Sequence, residues 1–296
     1  MLNFLLLFFA LSAHAFDVPG FELVYTAPAE TSLQNADLRN PADVWVEMIK
    51  GAQSSIDFEE MYASSKTGES LERVIEALEQ AGSRGVKIRF LLEESMLRAS
   101  YTDTITRLAK IKNMQLRMLK FGQVSTGGII HAKYFVVDGK SAYVGSQNFD
   151  WRSLKHVHET GLRISDTKIS SQLQNIFNFD WRAWELLEKG KKIPILQTKA
   201  VAGKDEERAY LVASPLAYLP LGIIHSETEL VRLLGEAKHD VRIQLLDYSP
   251  LQADRSYYAV IDNALRAAAA RGVKIMLMVS HWNQSAPAID YLKSLA

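Results

Sequence analysis

Apolar residues recur at helical spacing in Val44, Trp45, Met48 and Ile49, and again in Leu71, Val74, Ile75 and Leu78. Asn40-Pro41 stands before the first set, an N-cap with Pro at the first helical position. The second set predicts a helix over 69–80, closed by Gly82. Runs rich in β-branched and aromatic residues predict strands over 56–62, 86–92, 114–119, 134–137, 142–144 and 157–164. Two further helices are predicted over 102–110 and 169–187, the latter rich in Trp and Phe. Residues 16–38 read as a loop-rich lead-in. Strands alternating with helices argue a layered α/β fold.

The pattern then repeats. Residues 54–62 parallel 240–248, and Arg84-Gly85-Val86-Lys87-Ile88 recurs as Arg271-Gly272-Val273-Lys274-Ile275. The offset is 186 between Tyr62 and Tyr248 and 187 between the two arginines. A five-residue identity at a near-constant offset predicts two tandem, pseudo-symmetric lobes. Gly190-Lys191-Lys192 and the charged stretch 204–208 mark the boundary. The lysines read as a solvated linker or, less simply, as a contact for a phosphate-bearing tail. The expected organisation is a leader over 1–15, a lead-in over 16–40, a first lobe over 41–190, a linker over 191–212 and a partial second lobe over 213–296.

Composition adds three things. The 296 residues suffice for two domains with real cores. The balance of 34 basic and 34 acidic residues gives no global attraction to nucleic acid or anionic membrane, though it leaves room for a local basic groove. The apolar run over 1–15 ends Ala13-His14-Ala15, a signal-peptidase pattern, although no Lys or Arg precedes it. Export with cleavage before Phe16 is expected, to the periplasm or the exterior. With no cysteine, no disulfide braces the exported chain.

The chemistry concentrates in 131–150. His131 and Lys133 are two apart, a spacing that puts both side chains on one face of a strand. Asp138-Gly139 is a hairpin turn signal, and Gly145-Ser146-Gln147-Asn148 forms a small-residue turn after the return strand. Imidazole can attack phosphorus and form a phosphoryl-enzyme. Lys133 suits the non-bridging phosphate oxygens, and Ser146 and Asn148 can donate hydrogen bonds to them. Alone, each is bland: a structural histidine, a solvated lysine, a turn. Together they read as a phosphate site.

These residues resemble the phospholipase D superfamily. Its HxKxxxxD motif is matched by His131, Lys133 and Asp138, and its GSxN by Gly145, Ser146 and Asn148. The resemblance implies a mixed-sheet phospholipase D fold in two lobes, the second incomplete, and a phosphodiesterase working through a phosphohistidine. His131 would be the nucleophile or acid–base partner, with Lys133 and Asn148 as phosphate ligands. Glu159 sits where the family carries a carboxylate on the other ring nitrogen of the histidine, fixing its tautomer. Asp138 belongs to the motif but reads better as organiser of the hairpin. No cofactor or metal is expected, since no HExxH and no ligand cluster is present. His156 and His158 read as surface residues.

The two-lobed members carry two such motifs, one histidine attacking and the other protonating the leaving alkoxide. Here the repeat offset places a second motif at roughly residue 318, past Ala296. No other histidine heads an HxKxxxxD, and His281 lacks a partnering lysine. A chain missing its second motif is the expectation, with that motif supplied by missing sequence or by another chain. The 145–153 segment and Ser280-His281-Trp282 are similar to the branch with animal endolysosomal exonucleases and poxviral envelope proteins. The resemblance covers most of the chain from about Asp43, and leaves phospholipid or single-stranded nucleic acid as substrate. A membrane surface and a second copy of the chain remain open as partners. Tyr62, Phe149 and Trp151 read as core before they read as base-stacking platforms. The competing class is a catalytically impaired phosphate-binding protein lacking the second histidine.

Overall fold

The structure, a computed structural model, describes residues 18–125, 127–199, 209–252 and 254–295. The expected leader over 1–15 and the charged stretch 204–208 lie outside the described residues. The chain forms two compact units, one built from residues up to Gln123 and from Gly128 to Lys192, the other chiefly from Ile193 onward.

The first unit runs β1 (Phe21–Thr26), α1 (Pro41–Gly51), β2 (Ser55–Glu60), β3 (Ala63–Ser64), α2 (Ser70–Ser83), β4 (Lys87–Glu93), α3 (Thr102–Ala109), β5 (Met114–Leu119), β6 (Lys133–Val137), β7 (Ser141–Gly145), β8 (Phe149–Asp150), β9 (Glu159–Ile164) and α4 (Thr167–Glu188). The Asn40 side chain caps α1, accepting from Ala42 N at 2.9 Å. Seven strands form one mixed sheet in the order β1-β9-β7-β6-β2-β4-β5. The β2-β4-β5 side is parallel, and β6, β7, β9 and β1 are antiparallel to their neighbours. Strand β1 corrects the expectation of a loop-rich lead-in. The 21–26 segment takes its order from pairing with β9 across the sheet, which local pattern does not announce.

Strand alternation gives β2 two unlike faces. Ile56 and Phe58 enter an aromatic core with Trp45, Phe90, Phe135, Tyr143 and Phe149 beneath α1 and α2. The Phe58 and Phe135 rings stack at 4.5 Å between centroids. On the other face Asp57 and Glu59 are buried and polar. Arg89 pairs with Asp57 at 2.7 Å, and the Gln174 amide donates to the same carboxylate. Tyr134 donates to Glu59 at 2.6 Å. Glu59 and Asp180 are buried against each other, and burial pushes both carboxyls up.

The second unit contains β10 (Val212–Ala213), β11 (Ile224–His225), α5 (Ser226–Glu236), β12 (Asp240–Leu245), α6 (Val260–Ala270), β13 (Lys274–Val279) and α7 (Ala288–Leu295). Strands β12 and β13 pair in parallel, as β2 and β4 do. The shared arginines do the same work in each unit. Arg84 Nη2 donates to Ile49 O and Lys50 O at the end of α1, both at 3.2 Å. Arg271 Nη2 donates to Leu234 O at 2.7 Å near the end of α5. Each arginine is followed by a glycine at positive φ, 97° at Gly85 and 88° at Gly272, where a side chain would be strained. Lys191 and Lys192 are exposed, and further along the expected linker the chain is anchored. Gln197 is buried, and its amide donates to Pro220 O at 2.6 Å, so this stretch is tied into the second unit.

Candidate active site

The motif residues gather where four strands end together. Strand β2 finishes at Glu60, β6 begins at Lys133, β7 finishes at Gly145 and β9 begins at Glu159. Antiparallel pairing makes Glu60 and Lys133 direct neighbours, and Gly145 and Gly161 likewise. Same-face neighbours across such pairs lie about 4.5–5.5 Å apart at Cβ, so the side chains converge at one sheet edge.

His131 is not on a strand. It stands two residues before β6, in irregular backbone, with its side chain open to solvent. The spacing argument therefore gave the right neighbour for the wrong reason. What couples the pair is a hydrogen bond from Lys133 Nζ to the His131 carbonyl at 2.7 Å. The imidazole is held below the ordinary histidine value, chiefly by partial desolvation and secondarily by the Lys133 ammonium. A neutral ring at neutral pH is the form that attacks phosphorus.

Lys133 is 8% exposed, and no carboxylate stands within ion-pair distance among the described residues. Burial lowers its pKa, while the fields of Glu60 first and Glu159 second raise it. Asn148 makes no side-chain hydrogen bond among the described residues, and its Oδ1 is buried without a partner. Next to it Gln147 is fully buried, accepting from the Tyr143 hydroxyl at 2.9 Å. That bond sits against two glycines: a Cβ on Gly161 would overlap the Tyr143 hydroxyl, and a Cβ on Gly145 would overlap Gln147 Oε1. Gly145 of the GSxN segment and Gly161 thus serve close packing of β7 on β9.

Two expectations need correction, and Asp138 proves an organiser of the hairpin rather than a catalytic residue. The Ser146 hydroxyl has one proton, and it is directed to Glu159 Oε2, so Ser146 is not a free donor to phosphate. Ser146 Oγ in turn accepts from Thr160 N at 3.1 Å, locking the 145–148 turn onto β9. Glu159 makes no hydrogen bond to His131. It faces Ser146, and burial raises its pKa against the opposing pull of Ser146, Lys133 and Ser153. Asp138 lies outside the site, at the far end of β6, about 16 Å from Lys133 at strand rise. Its carboxylate accepts from Gln53 N, Ser54 N, the Ser54 hydroxyl and Ser55 N at 2.7–2.9 Å. Those bonds outweigh burial and hold Asp138 below the ordinary carboxylate value. Asp138 clamps the β6–β7 turn to the start of β2, and it does so from φ 54°.

The nearby aromatics divide. Phe149 is core, and the Tyr62 hydroxyl donates to Asp150 at 2.9 Å. Trp151 is half-buried, with Lys66 Nζ 4.8 Å from its ring centroid. His156 and His158 are exposed, packed edge-on against Trp151 and Tyr25. Sequence reasoning missed Glu60, a fully buried carboxyl facing Lys133. Its signal was available: an acid two residues after Phe58, on the apolar side of a strand.

Comparison with known proteins follows the same residues. The family described as "Cardiolipin synthase, PLD-like domain" matches residues 45–181, which contain every residue of the candidate site. Phospholipase D Z of Dictyostelium discoideum is 32% identical over 280 residues, covering 86% of this chain and 65% of that protein. The 5'-3' exonuclease PLD3 of Bos taurus is 29% identical over 307 residues, covering 93% of this chain and 61% of that protein. The chain therefore spans less than two thirds of the length of these relatives. Among solved structures, polyphosphate kinase from Porphyromonas gingivalis superposes with a TM-score of 0.53 at 14% identity, over 88% of this chain and 37% of that one. That likeness is one of fold.

Proposed function

As a member of the phospholipase D superfamily, the chain is, we propose, a phosphodiesterase that works through a phosphohistidine at His131. The observation that carries this reading is the pairing of a solvent-open, readily neutral imidazole with a buried ammonium unpaired at short range. His131 attacks phosphorus as the P–O bond to the alcohol breaks, and the departing alkoxide takes its proton from water or from an acid outside this motif. Lys133 and the Asn148 amide take up charge on the non-bridging oxygens, the dominant contribution in phosphoryl transfer. Water, or a second alcohol, then resolves the phosphohistidine. Glu159 and Ser146 hold the 145–148 turn in place, so that Asn148 faces the phosphate.

The substrate class is a phosphodiester of phospholipid or single-stranded nucleic acid. Relatives named as a phospholipase and as an exonuclease support both. The similarity of 54–62 and 84–88 to 240–248 and 271–275, with matching arginine contacts, supports a duplicated origin for the two units. Export with cleavage after Ala15 completes the proposal, and an exported protein whose mass includes Met1 would refute that part. A membrane surface and a second copy of the chain are partners the reading admits.

The test is turnover of bis-p-nitrophenyl phosphate, whose leaving group departs without a proton donor. His131→Asn should lower it by at least about three orders of magnitude. A His131→Asn protein with near-normal turnover would refute the reading. Natural esters need a general acid worth on the order of 10² to 10⁴ in rate.

A further inference from the structure

Glu60 lies on the apolar face of the sheet at the site, two residues after Phe58. It has no exposed surface, and neither oxygen has a hydrogen-bond partner. An acid buried in this way is costly unless a charge compensates it. The register supplies that charge, because Glu60 pairs directly with Lys133 across β2 and β6. Lys133 has a matching need: it is buried, and its ammonium donates to a neutral carbonyl.

We propose that Glu60 is a positioning residue: the buried counter-charge, opposite Lys133 across the β2–β6 pair, that keeps Lys133 an ammonium ion while the phosphate site is empty. The inference rests on the reading of Lys133 as a phosphate ligand and adds a residue to it. A buried lysine without an opposite charge sheds its proton and loses its grip on an anion. Glu60 prevents this from behind, out of reach of substrate, so the charge is ready when phosphate arrives.

The groups around Glu60 fit this role. Burial pushes the Glu60 carboxyl well above the ordinary carboxylate value; Lys133 on β6 pulls hardest against it, and Phe149 N–H on β8 acts in the same sense as Lys133 without reaching hydrogen-bond geometry. Glu59 on its own strand opposes it from the other face. Glu159 on β9 is the other carboxylate acting on Lys133, with the weaker pull. Tyr143 on β7 feels both acids, and burial keeps it a neutral phenol. His131, at the entry to β6, feels Lys133.

The experiment follows the Lys133 side chain by NMR in ¹³C-lysine-labelled full-length protein, assigned with Lys133→Arg, as pH is raised without substrate. In Glu60→Gln the Lys133 transition should move to lower pH by about one unit or more, a tenfold fall in the charged fraction on the alkaline side. Glu159→Gln should move it less. Inorganic phosphate should bind Glu60→Gln about tenfold more weakly above the shifted transition and normally below it. A merely structural role would weaken binding equally at every pH. An unmoved or raised transition in Glu60→Gln, or a larger shift in Glu159→Gln, would overturn the proposal. Should Glu60→Gln fail to fold, the wild type decides. The ¹³C-labelled Glu60 carboxyl must be ionised where Lys133 is charged, and a carboxyl protonated until Lys133 deprotonates would overturn the inference. The titration uses no substrate, so its failure is separate from any failure of the phosphodiesterase reading.

Discussion

The two units begin with the same local plan and end with different amounts of structure around it. Each has a helix, a strand, a second helix and a parallel strand, and each has an arginine closing the first helix. In the first unit this βαβ piece is extended by the antiparallel strands β6, β7 and β9, and α4 covers the polar face of the sheet. In the second unit the described strands form only two-stranded sheets, β12 with β13 and β10 with β11, and Met276 and Met278 are exposed on one face of the former. The candidate chemistry belongs to the added strands: His131, Lys133, Asn148 and Glu159 all lie on or beside β6, β7 and β9. The shared plan is a platform, and the antiparallel extension makes it a site.

The contrast predicts unequal responses to equivalent truncations. Phe58 on β2 sits amid stacked aromatic rings, and its counterpart by register on β12 is the half-buried Ile243. Phe58→Ala should cost about 3–5 kcal/mol and Ile243→Ala about 1–2 kcal/mol, read by denaturant unfolding with probes in each unit. Equal costs would break the claim that only the first unit has a deep core around this strand.

Removing Asp138 takes four hydrogen bonds from the turn that secures the antiparallel extension. Asp138→Ala should cost about 1–3 kcal/mol in stability. It should leave the titration of His131 in place, because Asp138 stands at the other end of β6. A displaced His131 titration by NMR would return Asp138 to the site.

The two polar clusters of the first unit should give opposite pH dependence. Glu59 and Asp180 are raised, so the folded state holds protons that the unfolded chain releases above its ordinary carboxylate values. Their contribution is full below those values and is lost as pH rises through the folded ones. Asp138 is lowered, so its contribution is present above the ordinary value and is lost as pH falls through the folded one. Asp180→Asn should flatten the alkaline decline in unfolding free energy, and Asp138→Asn the acid decline. Interchanged effects would contradict the assigned causes.

The smallest expected difference is at the shared arginines. Arg84→Met and Arg271→Met should each cost about 1 kcal/mol, because each loses charged donors to helix-end carbonyls at a solvent-facing position. Hydrogen exchange should register each loss in its own unit. A loss at one site only would weaken the parallel between the units.

Much of the first unit was legible in the chain. The spacing at Val44, Trp45, Met48 and Ile49 gave α1, and the Asn40-Pro41 cap gave its start. The βαβ repeat was legible because its packing is local and its pattern periodic. Strand β1 was not, since its order comes from β9, far along the chain. Lys133, Asn148 and Glu159 were legible as motif positions, but their partners were not. Ser146 donates to Glu159, and Glu159 makes no hydrogen bond to His131, in a turn set by the register of β7 on β9. Glu60 escaped notice because a charged residue in a strand ordinarily signals a solvent-facing position. Only the pairing with Lys133 gives it meaning.

The central claim is that His131 becomes covalently attached to phosphorus. Rapid acid-free quenching of the protein with bis-p-nitrophenyl phosphate, followed by peptide mapping, tests it directly. The account predicts an acid-labile phosphoramidate on the peptide containing His131, formed at least as fast as steady-state turnover and absent from His131→Asn. A turning-over protein with no adduct on that peptide, or with the adduct on another residue, would contradict it.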